Sequence, residues 1–176
     1  MATFGDVGFN THKVMCRYLT LLAYELSTRE IAPLNPQNYG ARMTAYLTTL
    51  EGTIAAGGSN YTSLDISLLQ SAIATFNNSA SAMNALIASS PDAATVDVIN
   101  AKLRDYQRGF VSQGGLPNRE FYKNVVFAPG LDTGYAAVTY GGITEAITFY
   151  HNATMAQDWI GRTSRAIELA AAILTP

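Results

Sequence analysis

Apolar residues recur along most of this chain at spacings of three and four, the period of one helix face. From Asn10, a residue suited to an N-cap, Val14, Met15, Tyr18, Leu22 and Leu26 mark a first predicted helix. The two prolines of "IAPLNP" bar its continuation. Asn35 followed by Pro36 predicts the next start, an N-cap with proline in the first turn. Tyr39, Met43, Tyr46, Leu47, Leu50 and Ile54 then form a second stripe, which "GGSN" ends. A third helix is predicted from near Thr62 or Ser63, carrying Leu64, Leu68, Leu69, Ile73, Phe76, Met83 and Leu86 as far as "SSPDAAT". Val96, Ile99, Leu103 and Tyr106 mark a fourth, ending before Gly114 and Gly115. A short helix is predicted from Ile143 to about Tyr150. A long one follows from Met155 to Leu174, with Trp159, Ile160, Ile167, Ala170 and Ile173 or Leu174 on its apolar side.

The periodicity fails in one place. "GGLPNREFYKNVVFAPGLDTGYAAVTYGG", residues 114–142, has no helical repeat but holds two prolines and five aromatic residues. Stretches this long without periodicity are uncommon in compact domains and are usually functional or disordered. This one is too aromatic for disorder: Phe121, Tyr122, Val125, Val126 and Phe127 are expected to bury well over half their surface. The predicted fold class is all-α, a bundle of four main helices plus shorter ones with one long ordered loop insertion.

Composition narrows the function classes. At 176 residues and 48% hydrophobic content, the chain is most simply one domain with a real core. Charged residues are 14%, below the roughly 25% of an ordinary domain. Such a surface is either hidden against a neighbour or coated in Ser, Thr and Asn as in a secreted protein. A net charge of −2 offers no footprint for nucleic acid or anionic lipid. No stretch reaches the ~20 apolar residues of a membrane span, and "MATFGDVGFN" has neither the basic nor the apolar region of a signal peptide. One cysteine, Cys16, excludes an internal disulfide framework. Asn60, Asn77 and Asn152 stand in glycosylation sequons, but 11 asparagines and 29 Ser or Thr residues give about two such matches by chance.

Catalytic constellations are missing from the pattern. His12 and Cys16 lie four apart on the first helix, but two ligands without acidic partners are not a metal site. They read as a partly exposed histidine and a buried cysteine. His151 stands near the end of the short helix, where an imidazolium suits the C-terminal dipole. Glu-x-x-His pairs, Gly-x-Ser-x-Gly, phosphate loops and Cys-x-x-Cys are all missing.

"GLPNREFYKNVVFAPG" at 115–130, followed by "GYAAVTYGGITEAI" at 134–147, resembles the C-terminal domain of the glutamate carboxypeptidase and transferrin receptor family, the transferrin receptor-like dimerisation domain. "FGDVGFNTH" and "REIAPLNPQNYGARM" resemble that family's segments around its last peptidase-domain helix. The resemblance implies that residues 1–32 are the C-terminal helix of a preceding peptidase domain and residues 33–176 the dimerisation domain. It implies a parent with two zinc ions in that missing domain and no cofactor in this chain. His12 matches a family histidine that is not a zinc ligand. In the glutamate-preferring enzymes, a Lys-Tyr pair on the matching loop contacts the substrate's terminal glutamate. Here the pair is Gly134 and Tyr135, so the lysine's charge, on which the resemblance would rest a preference for glutamate, is gone. Leu116, Pro117, Arg119, Phe121, Tyr122 and Pro129 would brace that loop.

The function so implied is non-catalytic. The chain would form a homodimer, contact the peptidase domain of its own parent and complete that domain's substrate pocket, without nucleic acid and without direct membrane contact. The third and last helices are the expected partner-facing elements. The parent is expected to be membrane-anchored or secretory, whether extracellular, lumenal or vacuolar, with this chain soluble. The alternative is a stand-alone helical-bundle inhibitor or protein-binding module; such families rely on disulfides.

Overall fold

A computed structural model describes residues 5–132 and 134–176. "FGDVGFNTH" therefore starts one residue outside the described part. The chain divides into two compact units, Met1–Leu34 and Asn35–Pro176. Within the described residues, no helix is long and apolar enough to cross a membrane.

The first unit is a 3-10 turn, Val7–Phe9, leading into α1, Asn10–Thr28. Asn10 is not the cap. Gly8 and Phe9 both take positive φ (71° and 54°), which turns the chain so that Asp6 lies over the start of α1. Its carboxylate accepts the Thr11 and His12 backbone N–H groups, each at 2.9 Å, and also bonds His12 Nδ1. Every residue of α1 is exposed. Cys16, expected to be buried, is exposed with the rest, because its helix has no covering element within this unit.

The second unit is predominantly helical. α2 (Pro36–Ala56) is capped by Asn35, whose side chain accepts the Gln37 N–H. α3 (Ser67–Ala88) starts four or more residues later than predicted. Residues Gly58–Tyr61 form a 3-10 turn, and Gln157 holds the Asp65 backbone at both its N–H (2.9 Å) and its carbonyl (3.0 Å). Asp65 Oδ1 then accepts the Ser67 N–H, so the helix opens there and Leu64 lies outside it. α4 (Ala93–Asp105) is capped by Asp92 through the Thr95 N–H. It gives way to a 3-10 turn, Tyr106–Phe110, that takes Tyr106 out of the helix proper. α5 (Gly141–Thr148) starts two residues early and stops two short. Its start fits closely on α6, since a Cβ at Gly142 would sit 2.3 Å from the Trp159 ring. α6 (Ala153–Leu174) is capped by Asn152, and Lys102 donates to the carbonyls of Ile173 and Thr175 at its far end.

The core lies mainly between α3 and α6. Leu69, Ala72, Ile73, Phe76, Ala80 and Met83 of α3 meet Ile160, Ile167, Ala170 and Leu174 of α6, all essentially without exposed surface. An aromatic cluster closes one end: Tyr39 stacks on Phe110 with centroids 4.8 Å apart, and Phe76 and Tyr106 pack around them. In its described residues, the expected loop insertion carries a small sheet that periodicity did not suggest. Phe127–Pro129 (β1) pairs antiparallel with Ala137–Thr139 (β2), Ala128 opposite Val138. At three residues each, the strands are too short to show alternation.

Candidate functional site

The 114–142 segment is built from tight backbone turns. Arg119 N–H donates to the Leu116 carbonyl, Tyr122 N–H to the Arg119 carbonyl, and Leu116 N–H to the Tyr122 carbonyl. Gly115 permits this closure: its φ is +70°, and a Cβ there would lie 2.2 Å from the Glu120 carbonyl oxygen. Asn124 Oδ1 accepts the Val126 and Phe127 N–H groups, setting up β1. Beyond β1, Gly130 N–H bonds the Ala136 carbonyl and Gly134 N–H the Gly130 carbonyl, closing a narrow tip. Tyr140 ends β2 at positive φ (47°); its N–H bonds the Val126 carbonyl and its buried hydroxyl donates to the Met43 carbonyl at 2.7 Å.

At the base of the tip is a buried ion pair. Arg119 is 7% exposed and Glu145 4%. One Arg119 amine bonds Glu145 Oε2, and the other donates to the Pro129 carbonyl. Glu145 Oε1 accepts the Leu131 N–H at 2.9 Å. The guanidinium also lies 5.9 Å from the centre of the Tyr122 ring.

The residues marked by resemblance separate into two groups. Leu116 and Arg119 are buried, with Pro117, Tyr122 and Pro129 half-buried. Phe121 is 74% exposed and Phe127 44%, contrary to the expected burial of the aromatic run. The turn at 116–122 points Phe121 away from the bundle, with its ring centre 4.5 Å from that of Tyr122. Tyr135 is 99% exposed at the tip, beside Gly134 in open space. A cleft of about 290 Å³ separates the tip from α5, lined by Leu131, Val138, Glu145 and Phe149; another of about 230 Å³ lies among Phe127, Pro129, Tyr135 and Ala137.

Glu145, Tyr140 and Asn124 were not marked in the sequence, although they organise the segment. Glu145 had a usable signal, as the lone charge in the apolar run "YGGITEAITFY". Burial pushes the Tyr39 hydroxyl up to about 12, an effect that a hydrogen bond from Asn124 opposes, and burial raises Tyr140 as well. Asp6 is held down to about 2, first by its bond to His12 and then by the two helix N–H groups. Among the described residues, no three His, Cys, Asp or Glu side chains converge on a metal position.

The three sequons differ in setting. Asn60 is exposed in the 3-10 turn. Asn152 is exposed and spends its side-chain oxygen on capping α6. Asn77 is half-buried where α2 crosses α3: it donates to Thr44 Oγ1, and a Cβ on Gly40 would lie 1.9 Å from its oxygen.

Residues Asn35–Pro176 thus form a helical unit that carries a braced loop with an exposed tyrosine, Tyr135, at its tip. The chain belongs to the transferrin receptor-like dimerisation domain family, which its residues 64–175 match. It is 48% identical, over 99% of its length and 24% of the relative's, to a probable glutamate carboxypeptidase of Arthroderma benhamiae. It is 27% identical, over 99% of its length and 26% of the relative's, to the probable glutamate carboxypeptidase LAMP1 of Arabidopsis thaliana. Aminopeptidase NAALADL1 of Rattus norvegicus is 27% identical over 81% of the chain and 19% of its own length. The chain thus spans about a quarter of the length of the first two of these curated relatives.

Proposed function

We propose that this chain is the non-catalytic homodimerisation part of a glutamate carboxypeptidase-like zinc peptidase. The two zinc ions belong to a peptidase domain outside the residues described. Residues 1–32 belong to the end of that domain, with α1 as its last helix, and 33–176 are the assembly domain, whose loop braces and completes the substrate pocket. The names of the relatives support the peptidase context. The exposed apolar residues of α1, such as Leu19 and Leu21 at 54% and 64%, suit a helix covered by further chain.

The observation that carries the assembly reading is the outer face of α3. Its 22 residues include no Asp, Glu, Lys, Arg or His. The exposed residues Leu68, Ser71, Ala74, Thr75, Asn78, Ser81, Ala82 and Ala85 make one uncharged stripe along it. Depletion of charge marks the centre of protein interfaces, and small residues let two copies of a helix approach closely about a two-fold axis. α6 is the less suited of the two helices expected to meet the partner, because its outer side carries Asp158, Arg162 and Arg165.

Light scattering across ~1 to ~100 μM tests this, since interfaces of ~800 Å² per partner hold at such concentrations. A mass near twice the chain's 18.9 kDa at every dilution is the expected result. A monomer throughout refutes assembly through this chain alone.

In the pocket-completing role, the Tyr135 hydroxyl donates to the substrate's terminal carboxylate. With Gly134 beside it and no lysine, the tip does not select a glutamate side chain by charge.

A further inference from the structure

We propose that Glu145 is the positioning residue of the substrate-facing tip, holding the loop at residues 129–131 from α5. The inference rests on the reading that this tip reaches the substrate pocket.

The geometry singles out one clamp. Glu145 Oε1 takes the Leu131 N–H at 2.9 Å, while Oε2 orients Arg119, whose other amine takes the Pro129 carbonyl. The backbone on both sides of Gly130 is therefore fixed by a single carboxylate and its guanidinium. Beyond that anchor, Gly130 N–H bonds the Ala136 carbonyl, Gly134 N–H bonds the Gly130 carbonyl, and Tyr135 is 99% exposed. Glu145 and Arg119 thereby set where the chain leaves β1 on its way to Tyr135. Contacts in enzyme sites lose much of their effect with displacements of ~1 Å.

Stability is a poor reason for this pair. Taking both charges out of water is costly, and well-packed apolar replacements are often as stable or more so. Arg119 Nε is also buried without a hydrogen-bond partner, so its desolvation is not fully offset. What an apolar pair cannot do is accept the Leu131 N–H and donate to the Pro129 carbonyl. The charged pair is suited to fixing backbone, and the backbone it fixes leads to the tip.

The test uses the full-length protein and the paired variant Arg119→Met/Glu145→Leu, which removes both charges together and leaves neither stranded. The first readout is amide hydrogen exchange at Leu131, with Ile143 of α5 as the internal control. The second is KM against kcat for peptides with a free terminal carboxylate. The proposal expects Leu131 to exchange ~10-fold faster or more, Ile143 to stay unchanged, and KM to rise several-fold with kcat nearly unchanged. Unchanged Leu131 exchange overturns the clamp itself. Faster Leu131 exchange with unchanged kinetics overturns the substrate-facing reading of the tip, and the positioning role with it. Loss of protection at Ile143 as well shows that the pair holds the bundle rather than the loop. Glu145→Leu alone is the comparison: it strands Arg119 and is expected to destabilise the whole unit more than the paired change does.

Discussion

Gly115 and Gly134 have nearly the same backbone angle, φ +70° and +68°, in very different surroundings. Replacing each with alanine separates the cost of the left-handed backbone from the cost of space. At Gly134 nothing lies within 4 Å of the added Cβ, so the substitution carries only the backbone penalty, roughly 1–2 kcal/mol. The Gly115 Cβ instead meets the Glu120 carbonyl oxygen at 2.2 Å and its carbonyl carbon and Cα at 2.5 Å. Carbon contacts are ordinary near ~3.5 Å, so the 116–122 turn must open by about 1 Å. Overpacking of this kind adds about 1–3 kcal/mol, for a total of roughly 2–5 kcal/mol. The obstruction is backbone and cannot swing aside as a side chain would. A chain of this size loses ~2–4 °C of Tm per kcal/mol. Thermal unfolding followed by far-UV circular dichroism should show Gly115→Ala melting well below Gly134→Ala. Hydrogen exchange at the Leu116, Arg119 and Tyr122 amides should rise in the first variant alone. Equal Tm values for the two variants would refute the claim that the turn at 116–122 is closed against Gly115.

Two further expectations follow from particular residues. The depressed Asp6 carboxyl stabilises the start of α1 fully above its usual titration range and loses that contribution as pH falls toward about 2. Helicity of the unaltered chain should therefore fall more between about pH 4 and pH 2 than that of Asp6→Asn, whose difference from it should vanish at the acid end. In a secretory host, Asn77 should carry no glycan in folded protein, because a sugar there would separate α2 from α3; peptide mass spectrometry detects it, and full occupancy at Asn77 contradicts that crossing.

The helices were readable because each repeats one signal many times. Val96, Ile99 and Leu103 mark α4 unaided, and Asn35 with Pro36 gives the start of α2 to the residue. Boundaries failed where a distant residue decides them. Gln157 delays α3 to Ser67, and Trp159 is packed so closely on Gly142 that α5 starts early. The loop was recognisable as ordered, yet its aromatic residues were assigned to the core on hydrophobicity alone, which does not say which way Phe121 points out of a turn. Arg119 was marked, but its partner Glu145 is 26 residues away on another element and follows no periodic rule. Exposure of Cys16 was likewise illegible, because an amphipathic stripe looks the same whether or not its covering element is at hand.

The assembly reading depends most on the uncharged outer face of α3, and Ala82→Glu tests that face directly. Ala82 is exposed, so a glutamate there costs the isolated fold little, within about 0.5 kcal/mol. Set against a second copy about a two-fold axis, it would bring two negative charges into a desolvated interface. Light scattering should then report close to 18.9 kDa for the variant and twice that for the unaltered chain, with matching circular dichroism. A variant that remains dimeric at every dilution would show that α3 is not the surface where two copies meet.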